Sequence, residues 1–375
     1  MKVIISGGGT GGHIFPAIAI ANAIKRRQPD ADILFVGAQG RMEMQRVPAA
    51  GYPIQGLPIA GLQRQLTPAN IIKNLQLPFR VLRSRCLVRR ILRQFAPDIV
   101  IGVGGFASQP TLSTAQRMGL TTLLQEQNSY AGLTNKTLAR LADCICVAYP
   151  DMDRFFPADK IVLTGNPVRA DIEQMTATRD EGCAHFSLDP TLPVILSVGG
   201  SLGAGSINRM VLDHLPFFAQ NKVQLIFQTG RAMYQEALSA VEQQGVGQWV
   251  KVHQFIDRMD MAYAAAQVVI SRAGAIAISE LCLVGKPVLL IPSPNVAEDH
   301  QTKNAMALVQ KEAAIMVPDS QCHDQGLPQA LALLGDADRC QRMGQAIRSM
   351  AAPAAADRIV DQIYILMEKR KVKEK

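Results

Sequence analysis

Residues 3–24 read VIISGGGTGGHIFPAIAIANAI, and residues 194–215 read VILSVGGSLGAGSINRMVLDHL. Both open on an apolar run short enough for a buried strand, turn through glycines, and continue with apolar residues at helical spacing. Strand, glycine turn and helix in that order make the first unit of a parallel sheet covered by helices on both faces. The recurrence at Val194 predicts two Rossmann-like α/β domains, each with its own glycine loop, facing each other across a cleft.

Outward from the first stretch, apolar runs at 33–36, 99–102, 122–124 and 144–148 alternate with helical patterns over 16–27, up to Phe95 and after Pro110. That alternation is the pattern of parallel strands buried on both faces. From Gly165 the rhythm breaks at Asn166, Pro167, a polar run and two further prolines, then restarts at Val194. A boundary near residue 168 is expected, with a first domain over 1–168 and a second over 169–350. Runs at 225–228, 268–271 and 288–291 supply strands to the second sheet, and a final helix over about 356–369 leads into a lysine-rich tail.

The 375 residues are 48% hydrophobic and 5% aromatic, enough for two apolar cores and incompatible with disordered or fibrous classes. No apolar run approaches the ~18 residues of a spanning helix. The longest candidate, 264–292, is interrupted by Arg272, Glu280 and Lys286. The N-terminus passes from a short apolar run to glycine, so no secretory signal is expected. Seven cysteines without a Cys-x-x-Cys are expected as reduced thiols of a cytosolic protein.

The formal net charge is +8, and it is localised. Nine basic residues and no acid lie between Glu43 and Asp98; taking those nine from the 39 leaves 30 against 31 acidic residues. A localised patch facing an anionic partner is expected rather than a uniformly basic nucleic-acid binder.

The first loop, 7–13, lets a ligand approach the backbone and offers the N–H groups and partial positive charge of a helix start. Gly7, Gly9 and Gly12 also satisfy the dinucleotide pattern G-x-G-x-x-G, which needs an acid at the end of the second strand to hold a ribose. That strand ends Val36-Gly37-Ala38, so the dehydrogenase reading loses its second element, while glycines that only make a tight turn stay open. His13 at the helix start is biased toward neutral imidazole by roughly 0.3 to 1 kcal/mol, and either accepts a proton or caps the loop.

The second loop, 199–206, has no Walker lysine and suits a diphosphate leaving group better than phosphoryl transfer. Gln125, Glu126, Gln127 and Asn128 close a strand at its carboxyl end, where open sheets bind ligands; a solvated turn is the alternative. Glu280 is a lone carboxylate in the apolar run AIAISELCLVG and needs hydrogen bonds, which two sugar hydroxyls can supply. The segment PNVAEDHQTKNA, 294–305, gathers polar side chains after a strand end, or else is an exposed helix start. Asp151 and Asp153 match the Asp-x-Asp with which some sugar transferases hold a metal. No strand leads into them and no other acid or His stands beside them, so a helix-capping pair and no required metal are expected.

Eight motifs in register span almost the whole chain: GGGTGGHIFPA from Gly7, GGFAS from Gly104, EQNSYAGLTNK from Glu126, TGNPVR from Thr164, GGSLGA from Gly199, FID from Phe255, SRAGAIAISE from Ser271 and EDHQTKNA from Glu298. Together they resemble the MurG family, glycosyltransferase family 28. Its members move N-acetylglucosamine (GlcNAc) from UDP-GlcNAc to undecaprenyl-pyrophosphoryl-N-acetylmuramyl (MurNAc) pentapeptide, lipid I, in bacterial peptidoglycan synthesis. The resemblance implies a GT-B fold, with the acceptor lipid on the N-terminal domain and UDP-GlcNAc mainly on the C-terminal one. The C-terminal helix, about 352–370, would pack back on the first domain.

The same resemblance implies donor contacts from Thr10, Gly11, Gly12, Asn128 and Arg169. Ser201 would meet the diphosphate and Ile256 the uracil through its backbone. Ala275, Ile276, Ala277, Ile278, Ser279 and Glu280 would line the nucleoside, with Glu280 on the ribose, and Gln301 would hold the GlcNAc. His13 is the implied base, with Glu126 as helper, in a single inverting displacement by the acceptor's C4 hydroxyl. Leu202 stands where some relatives carry Gln. UDP-GlcNAc is a substrate, and no cofactor is implied. A role in cell wall biogenesis, cell shape and cell division is implied too, with peripheral attachment to the cytoplasmic face of the inner membrane and contact with other cell-wall synthesis proteins.

Rival readings share parts of this pattern. A diacylglycerol sugar transferase or a UDP-GlcNAc 2-epimerase would share the nucleotide half, and a non-enzymatic nucleotide-binding module would need neither His13 nor Glu280. The basic stretch bears on the epimerase, which should lack a lipid-facing surface. At about 100° per residue, Val81, Val88, Ile91, Leu92 and Phe95 share a face suited to a core. The other side mixes Phe79, Leu82 and Cys86 with Arg83, Arg89, Arg90 and Arg93. An anionic membrane surface gives both kinds a reason, each basic side chain contributing about 1 kcal/mol while apolar ones dip into the interface; a solvated basic face is the alternative.

Overall fold

The computed structural model describes residues 1–59, 77–200, 202–296 and 299–373, which divide into two compact units. The first is Met1–Arg169 with Ala354–Lys375, and the second is Ala170–Pro353.

In the first unit, β1 (Lys2–Ser6), β2 (Asp32–Ala38), β3 (Ile54–Leu57), β4 (Ile99–Gly102), β5 (Thr122–Glu126), β6 (Cys144–Val147) and β7 (Ile161–Leu163) form a parallel sheet of order β3-β2-β1-β4-β5-β6-β7. Its helices are α1 (Gly11–Arg27), α2 (Glu43–Ala49), α3 (Leu77–Phe95), α4 (Ser108–Arg117) and α5 (Leu133–Leu138). Side chains alternate across the sheet. Val3 and Ile5 pack with Ile20 and Ile24 of α1, while Ile4 faces Val88, Ile91 and Leu92 of α3 and Leu112 of α4. Helix α1 starts at Gly11, ahead of Pro16, and holds that proline inside. The missing proline N–H would have met the carbonyl of Gly12, a residue exposed to solvent, so the break costs little there.

In the second unit, β8 (Val194–Val198), β9 (Gln224–Gln228), β10 (Val250–His253), β11 (Val268–Ser271), β12 (Val288–Leu290) and β13 (Ile315–Met316) pair in parallel as β10-β9-β8-β11-β12-β13. The helices are α6 (Ala170–Glu173), α7 (Arg179–His185), α8 (Gly205–Leu212), α9 (Leu215–Gln220), α10 (Tyr234–Gln243), α11 (Met259–Ala265), α12 (Ala275–Val284), α13 (His300–Val309), α14 (Cys322–Leu334) and α15 (Ala337–Ser349). Val194 and Leu196 pack with Tyr263, Ile278 and Leu281 on one face, and Ile195, Leu225 and Phe227 pack with Ile207, Met210 and Phe218 on the other.

The last helix, α16 (Ala355–Lys373), returns to the first unit and buries Ile359, Val360 and Ile363 in the core that α1 shares. Arg358 fixes it by donating to the Thr164 carbonyl from Nε (3.0 Å) and Nη2 (2.6 Å), and Arg26 pairs with Asp357 at 3.1 Å.

All seven cysteines are free, and burial pushes the Cys282 thiol up to about 12 and that of Cys322 up to about 11. Among the described residues no helix is long and apolar enough to cross a membrane. Each sheet changes winding direction beside its first strand, between β1 and β4 and between β8 and β11. Open α/β sheets bind ligands outside the carboxyl ends of strands at such switch points.

Candidate active site

At the first unit's switch point, the ends of β1, β4 and β5 gather residues 7–13, 103–106 and 125–128. Thr10 is the exposed N-cap of α1, its carbonyl accepting N–H bonds from His13 (3.1 Å) and Ile14 (3.2 Å), with Gly11 and Gly12 in the first turn. The half-buried His13 ring lies on Gly104, whose backbone is left-handed at φ +86° and where an added Cβ would stand 3.1 Å from His13 Cε1. Only glycine satisfies both the angle and the contact.

His13 Nδ1 is 3.2 Å from Oε1 of Gln127. Gln127 Nε2 donates to the Val103 carbonyl at 2.7 Å and to Oε1 of Gln125. Gln125 Nε2 donates to Asn166 Oδ1, and Asn166 Nδ2 donates to the Gln127 carbonyl, both at 3.0 Å. All three amide side chains are buried.

Glu126 is also buried, and its carboxylate accepts four hydrogen bonds: from Asn128 N–H (3.1 Å), Asn128 Nδ2 (3.3 Å), Gly132 N–H (3.0 Å) and Asn135 Nδ2 (2.9 Å). A carboxylate has about four acceptor positions, and this one spends them clamping the loop that carries Asn128. Glu126, expected as a helper in proton transfer, holds Asn128 in this structure. A second buried acid, Glu43, accepts N–H bonds from Gly9 (3.1 Å) and Ala38 (3.0 Å), latching the glycine loop to the end of β2.

At the second unit's switch point the loop after β8 is pinned to β9, with Gly200's carbonyl accepting from Gln228 Nε2 and from the N–H of Gly203, each at 2.9 Å. Ser201 lies outside the described residues, and the Leu202 side chain is exposed. Ala204, the N-cap of α8, brings no side-chain bond to the helix start, the end that carries the helix's partial positive charge. Arg272, at the end of β11, donates to Ser206 Oγ (2.7 Å), Asp319 Oδ1 (2.5 Å) and the Ile291 carbonyl (3.0 Å). It ties the first turn of α8 to the end of β12 across the switch point.

Ala275, Ile276 and Ala277 form the start of α12 behind Gly274, again without a side-chain cap, and Ser279 Oγ donates to the Ala275 carbonyl. Further along α12, Glu280 is 9% exposed and accepts from the Tyr263 hydroxyl at 3.2 Å. One of the donors it needs is therefore internal rather than a sugar hydroxyl. The side chains of Ile256 and Ile278 belong to the hydrophobic core, so only their backbones can meet a ligand. Just past Ile256, the Arg258 guanidinium holds the Asp260 carboxyl below the usual carboxylate range, at 2.7 Å. On α13, Gln301 accepts the Ser293 N–H at 2.9 Å, and Arg169 closes the first unit at its boundary.

Residues 3–147 match the family model of the glycosyltransferase family 28 N-terminal domain, and residues 194–359 match that of its C-terminal domain. The chain belongs to glycosyltransferase family 28.

This family 28 chain is 54% identical over 370 residues to a protein of Parabacteroides distasonis, covering 98% of this chain and 99% of that one. A Porphyromonas gingivalis protein is 53% identical over 372 residues, covering 99% and 97%. Both are named UDP-N-acetylglucosamine--N-acetylmuramyl-(pentapeptide) pyrophosphoryl-undecaprenol N-acetylglucosamine transferase. The crystal structure of Acinetobacter baumannii MurG matches with a TM-score of 0.72 at 28% identity, over 97% of this chain and 99% of that chain. The two parallel-sheet units are those of the GT-B fold. A UDP-GlcNAc 2-epimerase from Neisseria meningitidis matches with a TM-score of 0.66 at 14% identity, over 97% of this chain and all of that one, and so shares the fold alone.

In this family 28 enzyme, Asp151 stands in left-handed backbone (φ +57°) before the short turn Met152–Arg154, and its side chain makes no capping bond. The expected helix-capping pair is thus absent there. Glu43, Tyr263, Asp319 and Gln228 are polar residues of the two switch points that sequence reasoning passed over.

Proposed function

We propose that this family 28 enzyme transfers GlcNAc from UDP-GlcNAc to the C4 hydroxyl of lipid I, yielding UDP and lipid II. The observation that carries the reading is full-length kinship, 54% identity over 98% of the chain, with a relative named for that transfer. It includes both glycine loops and every motif between them.

In this reading the acceptor's C4 hydroxyl gives its proton to His13. The oxygen attacks the anomeric carbon from the face opposite the diphosphate, and the bond to the diphosphate breaks with its electron pair leaving on UDP. The start of α8 after Ser201 meets the charge that develops on the leaving group, positioned before reaction and so requiring no reorganisation. No metal is needed for that charge, and a chelator leaves turnover unchanged. The start of α12, Glu280 and the Ile256 backbone hold the uridine, and Gln301 the GlcNAc. Thr10, Gly11, Gly12, Asn128 and Arg169 complete the donor contacts. Glu126 acts through Asn128.

The exposed face of α3 supplies the place of action. Phe79 is 78% and Leu82 60% exposed, beside the exposed Arg83, Arg89, Arg90 and Arg93. That face suits peripheral contact with the anionic cytoplasmic leaflet that carries lipid I. Arg64 and Lys73 of the same basic stretch lie outside the described residues.

With UDP-GlcNAc and a polyprenyl-pyrophosphoryl-MurNAc-pentapeptide, UDP release should require the acceptor. His13→Ala should lower kcat by about 10² to 10⁴-fold with UDP affinity intact. UDP release without acceptor, accompanied by the 2-epimer of the sugar, would replace the transferase reading with the epimerase one.

A further inference from the structure

We propose that Gln127 sets His13 for proton transfer by holding its ring in the Nδ1–H tautomer, with the lone pair on Nε2. The inference rests on the reading of His13 as the base, and concerns which of its nitrogens can act.

The sense of the amide chain is fixed at two points by groups that can only accept. Nε2 of Gln127 faces the Val103 carbonyl at 2.7 Å, and a carbonyl oxygen does not donate. The atom there is the amide NH₂, so the atom facing His13 is the amide oxygen. Independently, the side chain of Asn166 faces the Gln127 backbone carbonyl at 3.0 Å and must present its NH₂ to it. Asn166 Oδ1 then faces Gln125, which turns its NH₂ toward Asn166 (3.0 Å) and its oxygen toward the NH₂ of Gln127. Both anchors give Gln127 the same orientation, and reversing any one amide would set two acceptors or two donors face to face. These side chains are at most 3% exposed, where such a mismatch costs about 1–3 kcal/mol.

An amide oxygen 3.2 Å from His13 Nδ1 requires a proton on that nitrogen. In a neutral ring the lone pair is then on Nε2. When the acceptor hydroxyl gives its proton to Nε2, the imidazolium keeps Nδ1–H on Gln127, so the base changes charge without turning. Gly104 and Gly105 lie against the ring, so a side chain at either position would press on it and shift Nδ1 from Gln127. In the opposite tautomer the two lone pairs of Nδ1 and Oε1 would face each other, and Nε2 would carry a hydrogen where a base is needed. Gln127 touches no reacting atom in this account; it is a positioning residue.

The test uses full-length protein with ¹⁵N-labelled histidine, reading the His13 tautomer from long-range ¹H–¹⁵N correlations, with His13→Gln to assign the signal. Wild type should show Nδ1–H. Gln127→Met removes the acceptor and should shift His13 toward the Nε2–H form that free histidine prefers, with kcat down about 10²-fold and KM for UDP-GlcNAc changed less than about twofold. Gln127→Glu, protonated on the oxygen that faces the Val103 carbonyl, still presents its other oxygen to Nδ1–H, so it should keep the Nδ1–H tautomer and recover most of kcat.

An Nε2–H wild type overturns the proposal, as does a Gln127→Met protein that loses kcat while His13 stays Nδ1–H, which would mark Gln127 as merely structural. If Gln127→Met does not fold, the wild-type and Gln127→Glu spectra decide. If instead His13→Ala keeps its turnover, the base reading fails, while the tautomer remains measurable on its own.

Discussion

Glu43 is 1% exposed and both of its oxygens are occupied by backbone N–H groups, one from the loop that carries His13 and one from the end of β2. Room for it comes from Gly37, where a Cβ would stand 2.6 Å from Glu43 Cγ. Glu43→Gln must turn an NH₂ toward one of those N–H groups and leave a buried donor unmet, at about 1–3 kcal/mol. For a unit of this size that corresponds to roughly 2–12 °C in the melting of the first unit. In the proposed reaction kcat falls as the loop shifts, while the affinity for UDP, held mainly by the other unit, changes far less. A variant with wild-type melting and turnover would show that the latch is dispensable. The residue also shows what one dimension hides. The strand-end search for an acid stops at Ala38, five residues short of Glu43, because spacing does not say which way a turn carries a side chain back. Glu280 was legible as a carboxylate in need of donors, since its helix is otherwise apolar. Its partner Tyr263 was not, lying 17 positions earlier in another apolar run.

At the scale of elements, the strands visible in the sequence are the interior ones. β1, β4, β6, β8 and β11 are buried at most or all positions and read as continuous apolar runs. The four that were not legible, β3, β7, β10 and β13, are the four edges of the two sheets. β3 and β10 are interrupted by polar residues or glycine, and β7 and β13 are apolar but only three and two residues long, so none of the four leaves the signature of an interior strand. Helix α3 was legible for the opposite reason, its two faces differing sharply. Val88, Ile91 and Leu92 are buried as its periodicity requires, and Val81 and Phe95 pack against the same core half-buried. The exposed arginines are therefore available to an anionic surface. Replacing Arg83, Arg89, Arg90 and Arg93 together with Gln removes about 1 kcal/mol each, so partitioning onto vesicles rich in anionic lipid should fall roughly 10² to 10³-fold at low salt. UDP-GlcNAc affinity should not change. Equal binding of the variant and wild type to such vesicles would reduce this face to a solvated one.

The whole molecule repeats one device, a glycine loop at a switch point, in two units with separate cores. Residues 3–24 and 194–215 carry that much in their shared pattern. What the loops hold is not carried there, since polar partners come from other strands: Gln127 and Asn166 in one unit, Gln228 and Asp319 in the other. Separate cores predict that heat unfolds the units as distinguishable components rather than in a single two-state step. In the proposed function the uridine and diphosphate of UDP are held mainly by the second unit's loops, so mass action should stabilise that unit most. At 100 times its Kd, UDP adds about 2.7 kcal/mol, or roughly 5–10 °C for a unit of this size. The protein carries its own reporter for the distinction, because the single tryptophan, Trp249, belongs to the second unit. Tryptophan fluorescence should follow the component that UDP moves most, and calorimetry should show the other component shifted far less. If one transition moved as a whole, the units would unfold cooperatively, and the effect of Glu43→Gln would then reach Trp249 as well.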